Sequence, residues 1–148
     1  METIRIKVEN IVSQKTSDTE KLHSICKLLK YEVEHYDWVG FYILDKEANV
    51  LYLGPYSGKA TDHTLIPVGK GVCGQVAQNK ETMIVQDVSK IQNYIACSME
   101  VQSEIVVPVF KNGEFIAEID IDSHAYAPFG EKDKKLLEEI AQQISCLF

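Results

Sequence analysis

The hydrophobic pattern changes period along the chain. After Thr16-Ser17-Asp18, a helix-start signature, Leu22, Ile25, Leu28, Leu29, Val33 and Tyr36 recur at helical spacing and predict an amphipathic helix that also carries His23 and Cys26. From Trp38 the period becomes two through WVGFYIL, and a second apolar run, VLYLGPY, follows the polar DKEAN turn, which predicts a hairpin. HTLIPVG predicts a further short strand, KGVCGQVAQN a glycine-punctuated loop entering a short helix, and TMIVQDV another strand. The polar stretch SKIQNYIACSMEVQ crosses the surface to a second hairpin, SEIVVPVF and EFIAEIDID, turned at Lys111-Asn112-Gly113. The last segment predicts a helix that presents Leu136, Leu137, Ile140, Ala141, Ile144 and Leu147 to the core. Residues 1–17 read as a lead-in, and 1–148 as a single domain. The order of elements is that of an α+β protein: a central antiparallel sheet, the N- and C-terminal helices on one face, and the middle loops closing a ligand pocket on the other.

Composition narrows the partner. A hydrophobic fraction of 45% with 25% charged residues is ordinary globular composition, and 148 residues suffice for one well-buried core. The net charge of -7 argues against nucleic acid or an anionic membrane surface, so a small molecule is the expected ligand. No apolar run is long enough for a membrane helix, and METIRIKVEN lacks the apolar centre of a secretion signal; the expectation is a cytoplasmic protein whose cysteines are reduced.

The chemistry starts from EIDIDS, where Glu118, Asp120 and Asp122 alternate with Ile119 and Ile121 and so share one strand face. In WVGFY, Trp38, Gly40 and Tyr42 share a face, and the bare glycine between two rings predicts a slot for a small apolar or cationic group. Glu104 is out of phase with Ile105, Val107 and Val109 and points away from the core side. If those faces coincide, Trp38, Tyr42, Glu104, Asp120 and Asp122 converge on one cavity. Crowded carboxylates push one another toward the protonated form, and two ligands relieve that: a hard metal ion or an organic ammonium, the second favoured by the aromatic slot. Acidic strand faces are often merely solvated, so alternation alone leaves both readings open.

Four cysteines divide by context. Cys26 and Cys146 fall in helices and read as structural, whereas Cys73 in GVCG and Cys97 in YIACS fall in loops, where thiols are exposed and backbone amides stabilise a thiolate. Two loop cysteines beside a pocket suggest redox chemistry. His23, His35, His63 and His124 are scattered, with no paired metal-ligand spacing, so no metal site is expected. A phosphate-binding loop and a nucleophile elbow are both lacking.

Taken in order, DWVGFY, LYLGPYSGK, IPVGKGVCG, IAC, SEIVVPV and IDIDS resemble the free methionine-(R)-sulfoxide reductases, stand-alone GAF-domain enzymes, from about Asp37 onward. The resemblance implies a GAF fold, commonly dimeric, with Cys97 as the catalytic cysteine, Cys73 as a resolving cysteine, and Trp38, Tyr42, Glu104, Asp120 and Asp122 forming the substrate pocket. It implies free methionine sulfoxide as substrate, no bound cofactor, and an external dithiol such as thioredoxin as reductant. One departure stands out: many members carry a third cysteine just before the IPVG segment, where this chain has GKATDHTLIPVG, with Asp62 and His63. That departure keeps a rival reading in view, a GAF domain that binds or senses a small molecule without catalysis. A purely structural dimerisation module is a third.

Overall fold

The computed structural model describes residues 2–91 and 100–148. Two helices open the chain, α1 (Glu2–Val12) and α2 (Asp18–Glu32), followed by strands β1 (Trp38–Asp45), β2 (Val50–Ser57) and β3 (Leu65–Pro67). Helix α3 (Gly71–Asn79) leads to β4 (Met83–Val85), then β5 (Ser103–Lys111), β6 (Glu114–Ser123) and α4 (Glu131–Ile144). The strands form one six-stranded sheet in the order β3-β2-β1-β6-β5-β4, every neighbouring pair antiparallel. Each hairpin foreseen from the period-two runs is present, and β1 and β6 join them at the centre.

The two faces of the sheet are packed differently. On one, Val39 and Phe41 of β1, Ile105, Val107 and Val109 of β5 and Ala117, Ile119 and Ile121 of β6 meet the apolar stripes of α1, α2 and α4 in the main core. On the other, α3 lies over β5 and β6, and a second cluster gathers Trp38, Tyr42, Leu51, Ile66, Val72, Cys73, Val76 and Val106. The α+β architecture with a helix-covered face and an opposite ligand-side face is as the pattern predicted. No helix among the described residues is long and apolar enough to cross a membrane.

The lead-in differs from its sequence reading. The stretch Ile4-Arg5-Ile6-Lys7-Val8 alternates like a strand and is rich in β-branched residues, yet it forms α1, with Ile4 and Val8 buried four residues apart. Docking of that stripe against α2 and α4 overrides the local preference, as tertiary burial commonly does.

Backbone irregularities sit where the ladder allows them. The β1–β2 register slips between Gly40 and Tyr42, and Pro55, which has no N–H to give, lies in that bulge. Its carbonyl accepts the Cys26 thiol at 3.5 Å, in a core that pushes the Cys26 pKa far up through burial. Pro108 is tolerated because β4 stops opposite Val106, and among the described residues no strand pairs with β5 on that side beyond that point.

One carboxylate ties the helical layer together. Asp133, buried in the first turn of α4, accepts the Gly130 N–H at 2.9 Å through Oδ2 and the Tyr36 hydroxyl at 2.6 Å through Oδ1. His35 Nε2 lies 2.9 Å from the same Oδ1. Asp133 therefore caps α4 and fastens it to the α2–β1 connection. Asp133→Ala strands a buried hydroxyl and removes the cap, and is expected to cost about 2–4 kcal/mol. The urea midpoint should fall with an unchanged slope, and Asp133→Asn, which keeps an acceptor, should lose less.

Candidate active site

Three rows of side chains cross the ligand-side face, set by strand register. Trp38, Asp122 and Glu104 are opposite one another on β1, β6 and β5; Gly40, Asp120 and Val106 form the next row; Tyr42, Glu118 and Pro108 the third. Directly paired residues stand about 4.5–5.5 Å apart at Cβ, so the four carboxylates form one patch. All four are buried, Asp120 to 1% exposure and Glu118 to 0%. Glu118, which the alternation placed on this face but which was not among the expected pocket residues, is thus part of the cluster.

The aromatic part is built differently from the expected slot. The indole of Trp38 folds over Gly40, where an added Cβ would fall 2.6 Å from Trp38 Cζ3 and 2.9 Å from Tyr56 Cβ. The space above Gly40 is therefore filled by Trp38 itself, which stacks on Tyr56 at 5.4 Å and an 18° interplanar angle. Its indole N–H donates to the Lys59 carbonyl at 2.9 Å, and the Tyr42 hydroxyl donates to the His63 carbonyl at 2.8 Å. Both rings are held by the β2–β3 connection, and Tyr56 is a member that the sequence reading missed.

Cys73 stands over the carboxylates from the first turn of α3. GVCG reads as a loop in sequence, but Gly71 at φ 64° turns the chain straight into the helix, and Val72 and Val76 pack Cys73 against the sheet. Cys73 is consequently buried rather than exposed, with Sγ 3.9 Å from Glu104 Oε2. Its thiol pKa is driven well above the ordinary range, by burial first and then by the charges of Asp120, Glu118, Glu104 and Asp122. Any help from the α3 amides is outweighed, and the resting group is a neutral thiol.

The carboxyls pay a similar penalty. Burial, then the neighbouring Asp120, raises Glu118 well above its ordinary value; neither Glu118 oxygen has a partner in hydrogen-bonding geometry, and the approach of the Cys73 thiol offsets only part of the shift. Asp120 is raised by burial, opposed by hydrogen bonds from Glu104 and Cys73, while its Oδ1 has no hydrogen-bond partner. Both groups are thus biased toward the protonated form relative to an exposed carboxyl.

A small cavity of about 10 Å³ opens over this patch, lined by Tyr42, His63, Lys70, Cys73, Glu104 and Asp120 among others. Of the expected pocket residues, Tyr42, Cys73, Glu104 and Asp120 share it; Trp38 and Asp122 stand in the adjoining row of the sheet. Cys97 lies outside the described residues. Among the described cysteines, Cys26, Cys73 and Cys146 are free thiols, Cys26 buried in the helical core and Cys146 exposed. His63, in the segment where the third cysteine of the resemblance is replaced, contributes to the cavity wall.

Comparison with known proteins gives the family. The GAF domain family matches residues 19–146. A free methionine-R-sulfoxide reductase of Saccharomyces cerevisiae is 47% identical over 116 residues, which is 76% of this chain and 64% of the yeast protein's length. A free methionine-R-sulfoxide reductase of Escherichia coli is 33% identical over 134 residues, 90% of this chain and 79% of that protein. A solved free methionine-R-sulfoxide reductase from Neisseria meningitidis, in complex with its substrate, superposes with a TM-score of 0.89 at 38% identity, covering 95% of this chain and 83% of that one. The chain belongs to the GAF domain family and, within it, to the free methionine-R-sulfoxide reductases.

Proposed function

We propose that the protein reduces free L-methionine-(R)-sulfoxide to methionine, with Cys97 as nucleophile and Cys73 as resolving thiol. The observation that carries this reading is the packing of a thiol and four buried carboxyls on one sheet face, with Asp120 lining a cavity and its Oδ1 unpartnered. An amino acid sulfoxide answers that arrangement twice over. Its ammonium offsets buried negative charge, and its oxygen accepts a proton from a carboxyl that burial biases toward the protonated form.

The Cys97 thiolate attacks the sulfoxide sulfur while Asp120, raised in pKa, gives its proton to the oxygen. The attack joins the two sulfurs; as the protonated oxygen passes to the Cys97 sulfur, the substrate sulfur–oxygen bond and the new sulfur–sulfur bond both break, methionine leaves, and Cys97 is left as a sulfenic acid. Cys73 then condenses with it, expelling water and forming a disulfide, which an external dithiol reduces by exchange. Cys73, held neutral at rest, is suited to the second step rather than the first. A peptide-bound methionine sulfoxide lacks the free ammonium, which accounts for preference for the free amino acid. The proposal includes a cytoplasmic homodimer served by a thioredoxin-like reductant.

The decisive experiment adds free L-methionine-(R)-sulfoxide to reduced protein, counts lost thiols and maps the product by mass spectrometry. A stoichiometric Cys73–Cys97 disulfide, abolished in Cys97→Ser, is expected. Binding that raises the melting temperature without thiol loss would leave a sensor domain instead. Asp120→Asn, which removes the proton donor, is expected to lower kcat/KM by about 10²–10⁴-fold.

Glu118 gives a stability test. Its folded-state pKa is raised above an ordinary value of 4.5, so between that value and its raised one the folded chain holds a proton that the unfolded chain has released. This contribution is most favourable below that window and is lost as pH rises through it. Glu118→Gln should therefore stabilise the protein at pH 7–8 and flatten the decline, as read from urea midpoints across the pH range.

A further inference from the structure

Cys73, Glu104 and Asp120 come from α3, β5 and β6, and one donor atom from each lies within 4.8 Å of the other two, all three side chains buried. The Cys73 Sγ to Glu104 Oε2 separation is 3.9 Å. A tetrahedral zinc ion, with sulfur at about 2.3 Å and oxygen at about 2.0 Å, holds two such donors about 3.5 Å apart, so the Cys73–Glu104 pair closes by a few tenths of an ångström and the pairs with Asp120 by at most about 1.3 Å. Two further observations point to a cation. Asp120, 1% exposed, lines the cavity and has an unpartnered Oδ1, and Glu118, 0% exposed, has neither oxygen partnered.

We propose that Cys73, Glu104 and Asp120 form a site for a borderline divalent cation such as zinc or cobalt(II), with a fourth position open to water. One thiolate and two carboxylates suit such an ion, whereas magnesium and calcium, which take oxygen ligands, gain nothing from the sulfur. On binding, the Cys73 S–H bond breaks, a metal–sulfur bond forms, and that proton, together with any held by Asp120 or Glu104, leaves to solvent. The double positive charge offsets the like charge that the sheet face concentrates. If the reductase reading holds, a bound ion withdraws Cys73 from disulfide formation and fills the cavity floor, making the metal a reversible inhibitor; the site itself does not depend on that reading.

The test is a titration of the reduced, chelator-treated full chain with cobalt(II) in the absence of oxygen, following the thiolate-to-cobalt charge-transfer absorption. One equivalent is expected to saturate the wild type, Cys97→Ser and Cys146→Ser alike. The band should be absent in Cys73→Ser, with the fold checked by circular dichroism, and Asp120→Asn should weaken binding at least about tenfold. Absence of the band in the wild type, its persistence in Cys73→Ser, its loss in Cys97→Ser, or unchanged affinity in Asp120→Asn would each overturn the site.

Discussion

Everything in this molecule is arranged around four carboxyls buried on one face of a sheet. Strand β6 is where the constraint is felt most. Ala117, Ile119 and Ile121 project into the helix-covered core while Glu118, Asp120 and Asp122 project to the opposite face. Because successive side chains alternate, a slip of one residue would exchange the two sets and bury three acids among α1, α2 and α4. Core and site therefore fix one another: the register that packs the isoleucines is the register that assembles the carboxyls opposite Trp38, Gly40 and Tyr42.

Such a face is costly to maintain. Unpartnered oxygens on Glu118 and Asp120 mean that the fold gives up stability where a ligand is to be met. The main core, with α1, α2 and α4 on the far side, offsets that cost, and Asp133 shows how differently a buried carboxylate behaves when the fold satisfies it. Its two oxygens take the Tyr36 hydroxyl and the Gly130 amide, and it serves the architecture. The carboxyls of the opposite face keep their chemistry available.

The cysteines follow the same division. Cys26 hydrogen-bonds to Pro55 in the core and is removed from chemistry by burial. Cys73 is as deeply buried, yet a cavity and four acidic groups surround it, so its protonation answers to whatever enters. The two thiols share burial and differ in their neighbours.

Alternation of side chains along β1, β5 and β6 was enough to place Trp38, Tyr42, Glu104, Asp120 and Asp122 on one face, and Asn112-Gly113 was enough to join β5 to β6, because strand period and turn chemistry are local properties. The helical stripes of α2 and α4 were legible for the same reason. Long-range packing decided the rest. Residues 2–12, which read only as a lead-in, became a helix because α2 and α4 offer their stripe a surface. Trp38 fills the slot over Gly40 because Tyr56, brought alongside by the β1–β2 register, gives its ring a stacking partner. Cys73 meets Glu104 and Asp120 only because α3 folds back over the sheet, joining residues more than 30 positions apart that no spacing rule connects. The sequence by itself determined which side chains share a face; the tertiary structure decided which faces meet, because contact between distant segments depends on packing that no local pattern encodes.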